Sequence, residues 1–151
     1  MPNQSLSGSD TINIGGVVLQ NLADGDVGDL TFPNEIVKVK TGKNGNAIFA
    51  VDASGIQVDV KVRVLRGSED DVYLNSIVSD FLADPASFTT LDGTFVKRIG
   101  DGTGIVTSDT YVLGGGVPTR QPAMKENVEG DTEQSVTLYE FKFTNARRAI
   151  L

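Results

Sequence analysis

The sequence predicts a mainly β protein, a two-sheet antiparallel sandwich or small barrel with one flanking α-helix, and three observations predict it. Residues 55–67, GIQVDVKVRVLRG, alternate Ile56, Val58, Val60, Val62 and Val64 with Gln57, Asp59, Lys61 and Arg63. That is the period of a strand with one face in a core and the other in water. Residues 68–85, SEDDVYLNSIVSDFLADP, carry the signals of a single helix. The other apolar runs are short, rich in β-favouring residues and separated by glycine turns, and a mostly antiparallel sheet with one packed helix accommodates them all.

The elements follow in order. Residues 1–10, MPNQSLSGSD, have nothing to bury and are expected to form a flexible arm, which leaves 11–151 as one domain. The arm also lacks the charged-then-apolar layout of a signal peptide. TINIGGVVLQ (11–20) reads as two strand pieces broken at Gly15 and Gly16. EIVKVKT (35–41) alternates Val37 and Val39 with Lys38 and Lys40, as a half-buried strand does; GKNGN (42–46) is turn chemistry, and AIFAV (47–51) is the returning strand of a hairpin.

In the helix, Ser68 is placed to cap, with Asp71 three residues on, and Glu69 and Asp70 add negative charge where the dipole is positive. Leu74, Ile77, Val78, Phe81 and Leu82 recur at helical spacing as one apolar stripe. Asp84, before Pro85, ends the helix because a residue preceding proline is pushed out of helical geometry. Further strands are expected at SFTTL (87–91) and TFVKRI (94–99), joined across Asp92 and Gly93, at GIVTSDTYVL (104–113) and at QSVTLYEFKFTNA (134–146). The breaker-rich segment GGGVPTRQPAMKENVEGDT (114–132) is expected to be a long loop.

Composition bounds the function. A chain of 151 residues can bury a core without staples, and with no cysteine it must. Histidine is absent too, which removes the commonest general base and the commonest transition-metal ligand. A structural role is expected ahead of an enzyme, with no cofactor. The formal charge of -7 argues against a protein that holds nucleic acid by releasing phosphate counterions. No apolar run approaches a membrane helix, and no membrane partner is expected.

Each candidate site has a plain alternative. In DGDVGD (24–29), Asp24, Asp26 and the later Glu35 fall at positions one, three and twelve of a calcium loop. Position six is Asp29 where that loop needs glycine, and no helix flanks it, so a solvated turn is preferred and no metal is expected. GDGTG (100–104) lacks the spacing and the following Lys-Ser or Lys-Thr of a phosphate loop and reads as a hairpin turn. Ser5, Ser7 and Ser9 have no histidine to activate them, so no catalytic residue is expected. Lys38, Lys40 and Lys43 read either as lysine protection of an edge strand or as a basic patch that meets the acidic Asp24, Asp26 and Asp29 of another copy, a head-to-tail contact of the kind that builds rings and filaments.

Several phrases resemble one family. DTINIGGVVLQNLADGDV (10–27), LTFPNEIVKVKTGKNGNAIFAVDASG (30–55), RGSEDDVYLNSIVSDFL (66–82) and VTLYEFKFTNARRAI (136–150) resemble the tail tube proteins of contractile-tailed bacteriophages. The resemblance implies a two-sheet β fold with a flanking helix, six copies in a ring, and rings stacked into a tube within a contractile sheath in the virion tail. It implies as partners the sheath protein, baseplate or initiator and tail terminator proteins, and in the lumen the tape measure protein and genomic DNA without specific binding. The candidate ring-stacking residues are then Asp24, Asp26, Asp29, Lys38, Lys40 and Lys43, and the candidate lumen-facing residues Gln57, Asp59, Lys61 and Arg63. Duplex DNA presents a negative charge about every 1.7 Å of its axis, so net acidity favours sliding, although Lys61 and Arg63 keep that face from being uniformly negative. A type VI secretion ring protein, the tube of an R-type bacteriocin and a monomeric β-sandwich binding module stay open as alternatives. The absence of tryptophan weighs against a carbohydrate-stacking module.

Overall fold

In the computed structural model, residues 5–6, 11–22, 28–100, 102–124 and 135–150 are described, without the side chains of 5 and 6. The strands are β1 (Ser5–Leu6), β2 (Thr11–Ile14), β3 (Val17–Val18), β4 (Gly28–Thr31), β5 (Val37–Thr41), β6 (Ala47–Val51), β7 (Val58–Leu65), β8 (Leu91–Gly100), β9 (Val106–Met124) and β10 (Val136–Ile150). Among the described residues one α-helix, α1 (Glu69–Ala83), joins β7 to β8, and short 3₁₀ turns cover Ala53–Ile56 and Pro85–Ser87.

Eight strands form one antiparallel sheet in the order β3-β2-β8-β9-β10-β7-β4, with β1 also on β8, and β5 and β6 form a second sheet of two strands. The two expected antiparallel sheets with a helix beside them are therefore present, unequally divided. The large sheet rolls on itself: a methyl group added to Gly28 on terminal β4 would lie 3.1 Å from Phe95 Cε2 on β8 and 3.6 Å from Ile12 Cδ1 on β2. Two parts of one sheet thus supply both walls of the core.

The valine ladder fills that core. Val58, Val60, Val62 and Val64 are fully buried with Ile14, Phe141, Phe143, Tyr139 and the helix residue Leu74. Each such side chain contributes about 1.5–3 kcal/mol relative to exposure. Ile56 departs from the expected ladder: it lies in the 3₁₀ turn before β7, where the two-residue alternation has not begun, and is exposed.

α1 begins and ends as expected. Ser68 Oγ accepts the Asp71 N–H, Asp71 accepts in return from the Gly67 N–H at 2.8 Å, and Asp84 caps the C-terminus. Leu74, Ile77 and Val78 are buried, while Leu82 is exposed because the stripe is wider than the surface that receives it. Asp70, expected only to complement the dipole, is buried and accepts the backbone N–H groups of Gln20 and Asn21, tying the segment after β3 to the helix.

Three expectations are corrected. Residues 87–90 form no strand; β8 starts at Leu91 and runs unbroken through Asp92 and Gly93, with a register shift where a turn was expected. Residues 114–124 are strand, so most of the expected loop is the second half of β9, and 125–132 lie outside the described residues. The glycines there act as gaps for a side chain: a Cβ on Gly116 would run into the Phe143 ring, and Gly115 has a φ of 66°. The third correction is the β5–β6 hairpin. It forms with the expected turn, Gly42 N–H to Asn46 O at 2.7 Å, but Val37 and Val39 do not make it half-buried. Val39, Ile48, Phe49 and Val51 are 56%, 70%, 69% and 86% exposed, because the hairpin stands clear of the core.

Candidate assembly surfaces

The polar face of β7 belongs to a lattice of cross-strand ion pairs. Directly opposite residues on antiparallel strands bring their side chains together, and here the register places Lys61 against Glu140 and Asp59 against Lys142. Lys61 Nζ lies 3.5 Å from Glu140, Lys142 Nζ 4.0 Å from Asp59, and Arg120 on β9 reaches Glu140 at 3.3 Å. Arg63 donates to Asp29 on β4 at 3.1 Å. The charges thus alternate in sign across β4, β7, β10 and β9.

These contacts regroup the candidates from the sequence. Asp29 was placed with the ring-stacking lysines and Arg63 with the lumen, yet the structure pairs them with each other. Gln57 accepts from Asn34 Nδ2 at 3.5 Å and sits at the start of the same face. Asp24 and Asp26 lie outside the described residues. Among the described residues no group of acidic side chains could hold a metal ion, and Gly102 and Gly104, both at positive φ, lie in the turn from β8 to β9.

Lys38 lies 3.8 Å from Asp52 at the base of its own hairpin. The Ser54 hydroxyl and backbone N–H hold Asp52 below the usual carboxylate range, with Lys38 as a lesser cause. Lys40 and Lys43 are exposed on the hairpin. Opposite residues share a face, so the register puts Val37, Val39, Phe49 and Val51 on one side and Lys38, Lys40, Ile48 and Ala50 on the other. Apart from Thr41 at its tip that first side is apolar, and it is largely open, a feature that sequence alternation could have revealed only if the core were known to lie elsewhere.

A second cluster, not anticipated from sequence, sits near the end of β10. Arg148 makes two hydrogen bonds of 2.9 Å to the Asp109 carboxylate and lies 5.7 Å over the Tyr111 ring, which in turn meets Phe32. The Arg148 bonds hold Asp109 below the usual carboxylate range.

No protein-family model matches the sequence, and no curated protein matches it. The fold is similar to that of a chain from a contractile injection system. One solved structure with that fold is the sheath–tube complex of an extracellular contractile injection system, PVC, in its extended state. A chain of that complex superposes with a TM-score of 0.58 and 10% sequence identity, over 94% of this chain and 88% of its own length.

Proposed function

We propose that this protein is a tube subunit of a contractile tail: copies close into rings of six, the rings stack into a hollow tube, and a contractile sheath surrounds it. The observation that carries the reading is the β5–β6 hairpin, a folded two-stranded sheet whose apolar side buries almost nothing in one copy. An isolated hairpin is marginal in water, so this one takes its stability from a neighbouring subunit. The role is structural, without catalysis. In a phage the tube conducts DNA into the host, and the subunit's partners are the sheath, the baseplate or initiator, the terminator and the tape measure protein.

The likeness to a chain of an extracellular contractile injection system favours a second reading, in which the tube belongs to such an apparatus and delivers other cargo. Fold and assembly are shared by the two, and the neighbouring genes separate them. Negative-stain electron microscopy of the purified protein, with size-exclusion chromatography over a range of concentration, tests the common part. Uniform rings or hollow tubes are the expected result. A monomer at every concentration, unchanged by seeding with baseplates, overturns it.

A further inference from the structure

The free strand edges of this chain differ in character. β7 flanks β10 only as far as Phe143, while β9 flanks it to Ile150, so residues 144–150 have a strand on one side only among the described residues. The 3₁₀ turn Ala53–Ile56 lies against β10 but adds no strand pairing. β9 shows the converse over 117–124, beyond Gly116, its last residue paired with β8 (to Leu91). That β9 edge is protected: Pro118 and Pro122 lack an N–H, and α1 lies beside it, with Val78 and Phe81 facing Pro118 and Thr119 across a shallow cleft. The β10 edge has no proline and no lysine, and its Arg148 is drawn onto its own sheet by Asp109.

The hairpin shows the same contrast. The outer edge of β5 carries Lys38 and Lys40, the usual protection against pairing. β6, AIFAV, has no charge, no proline and apolar side chains on both faces, the pattern of an interior strand, yet β5 is its only partner among the described residues.

We propose that β6 of one copy adds to residues 144–150 of β10 in the next, so that AIFAV becomes an interior strand of a sheet shared by two subunits. Main-chain hydrogen bonds supply the affinity and the alternating side chains the specificity. Both faces then find suitable surroundings. On one side Phe49 and Val51 extend the surface formed by Phe32, Tyr111 and Ile150. On the other, Ile48 and Ala50 border an open concavity of about 520 Å³ lined by Asn13, Asp92, Thr94, Asn145 and Arg147. β6 keeps Lys38 and Lys40 one strand away from Arg147 and brings their charge to the side on which Asp92 lies. The two edges are different segments, so the contact is heterologous and propagates from copy to copy. The inference rests on the tube reading and names one of its contacts.

The chain has no cysteine, so introduced thiols report this contact alone. Copies carrying Ala50→Cys are mixed with differently tagged copies carrying Ala149→Cys, allowed to assemble and mildly oxidised. A disulfide forms only where the Cα atoms come within about 7 Å. The expected result is a mixed covalent dimer, a ladder of covalent oligomers from the double variant, and loss of both when Ala149→Cys is replaced by Thr119→Cys on the protected β9 edge. The cysteine is moved through 47–51 to cover every register. Tubes that form in the microscope with no cross-link to β10 at any of these positions overturn the contact and leave the tube reading standing. Copies that stay monomeric overturn both.

Discussion

Tyr139 and Asp71 join the sheet to the helix: the phenol on β10 donates to the Asp71 carboxylate in the first turn of α1, and the same carboxylate accepts from the Gly67 N–H. Tyr139 is buried, so its hydroxyl needs that partner. Tyr139→Phe removes the bond with little change of shape and leaves Asp71 its other contacts. The expected cost is about 1–2 kcal/mol, read as a lower denaturant midpoint with an unchanged slope. No loss of stability would show that the hydroxyl contributes nothing.

The same pair gives a pH dependence. Burial, then the Asp71 hydrogen bond and charge, push the Tyr139 phenol well above its ordinary value of 10.0. Burial also raises Tyr73, whose hydroxyl donates to Ile14 O. In the unfolded chain both ionise near 10.0, whereas the folded chain keeps its protons longer. Their contribution is therefore complete below that pH and is lost as pH rises towards the folded values. Denaturation midpoints measured from neutral to strongly alkaline pH should fall above it, less steeply in Tyr139→Phe.

Gly116 is required by the ring of Phe143, which occupies the place of a Cβ. Gly116→Ala should cost about 1–3 kcal/mol by overpacking. Combining it with Phe143→Leu should cost less than the sum of the two single changes, a coupling that a double-mutant cycle in denaturant measures. Strict additivity would remove the close contact as the cause.

That glycine also explains where the sequence misled. Residues 114–116 and Pro118 read as breakers by type, but glycine in a strand can mark close approach of a distant side chain, and Phe143 is remote in sequence. Local signals were legible: the period-two valines of β7, the Ser68 cap, and the paired glycines after β2 all lie where their neighbours in the chain determine them. The exposure of Val39 and Phe49 was not legible, because alternation reports that a strand has two faces and not whether a core lies beside either. The Asp29–Arg63 pair depends on the register between β4 and β7, which two short runs of sequence do not specify.

The ion-pair lattice yields a test of which face meets the cargo. Glu140 bridges Lys61 and Arg120, so Glu140→Gln leaves two cations on that face without their shared carboxylate. Exposed pairs contribute about 0–1 kcal/mol, and the fold should survive. If this face lines the bore, assembled tubes of the variant should retain duplex DNA with an affinity that falls as salt rises. Retention equal to that of the parent tube, measured by fluorescence of labelled DNA at two ionic strengths, would remove this face from the lumen.

The hairpin separates folding from assembly most cleanly. Phe49 is mostly exposed and is not part of the core cluster, so Phe49→Ser should leave the unfolding free energy of the monomer within about 0.5 kcal/mol of the parent, as surface changes do. The same substitution removes the largest apolar group from the open side of β6, and ring or tube formation should be lost in electron microscopy. Charge reversal of Lys38, Lys40 and Lys43 to glutamate acts on the lysines of the hairpin, of which Lys38 lies beside Asp52. It should leave the subunit folded by circular dichroism and stop tube growth. Loss of rings with Phe49→Ser and of stacking alone with the lysine variant would divide the two sides of the hairpin between two contacts. Normal tubes from both variants would free the hairpin of any part in assembly.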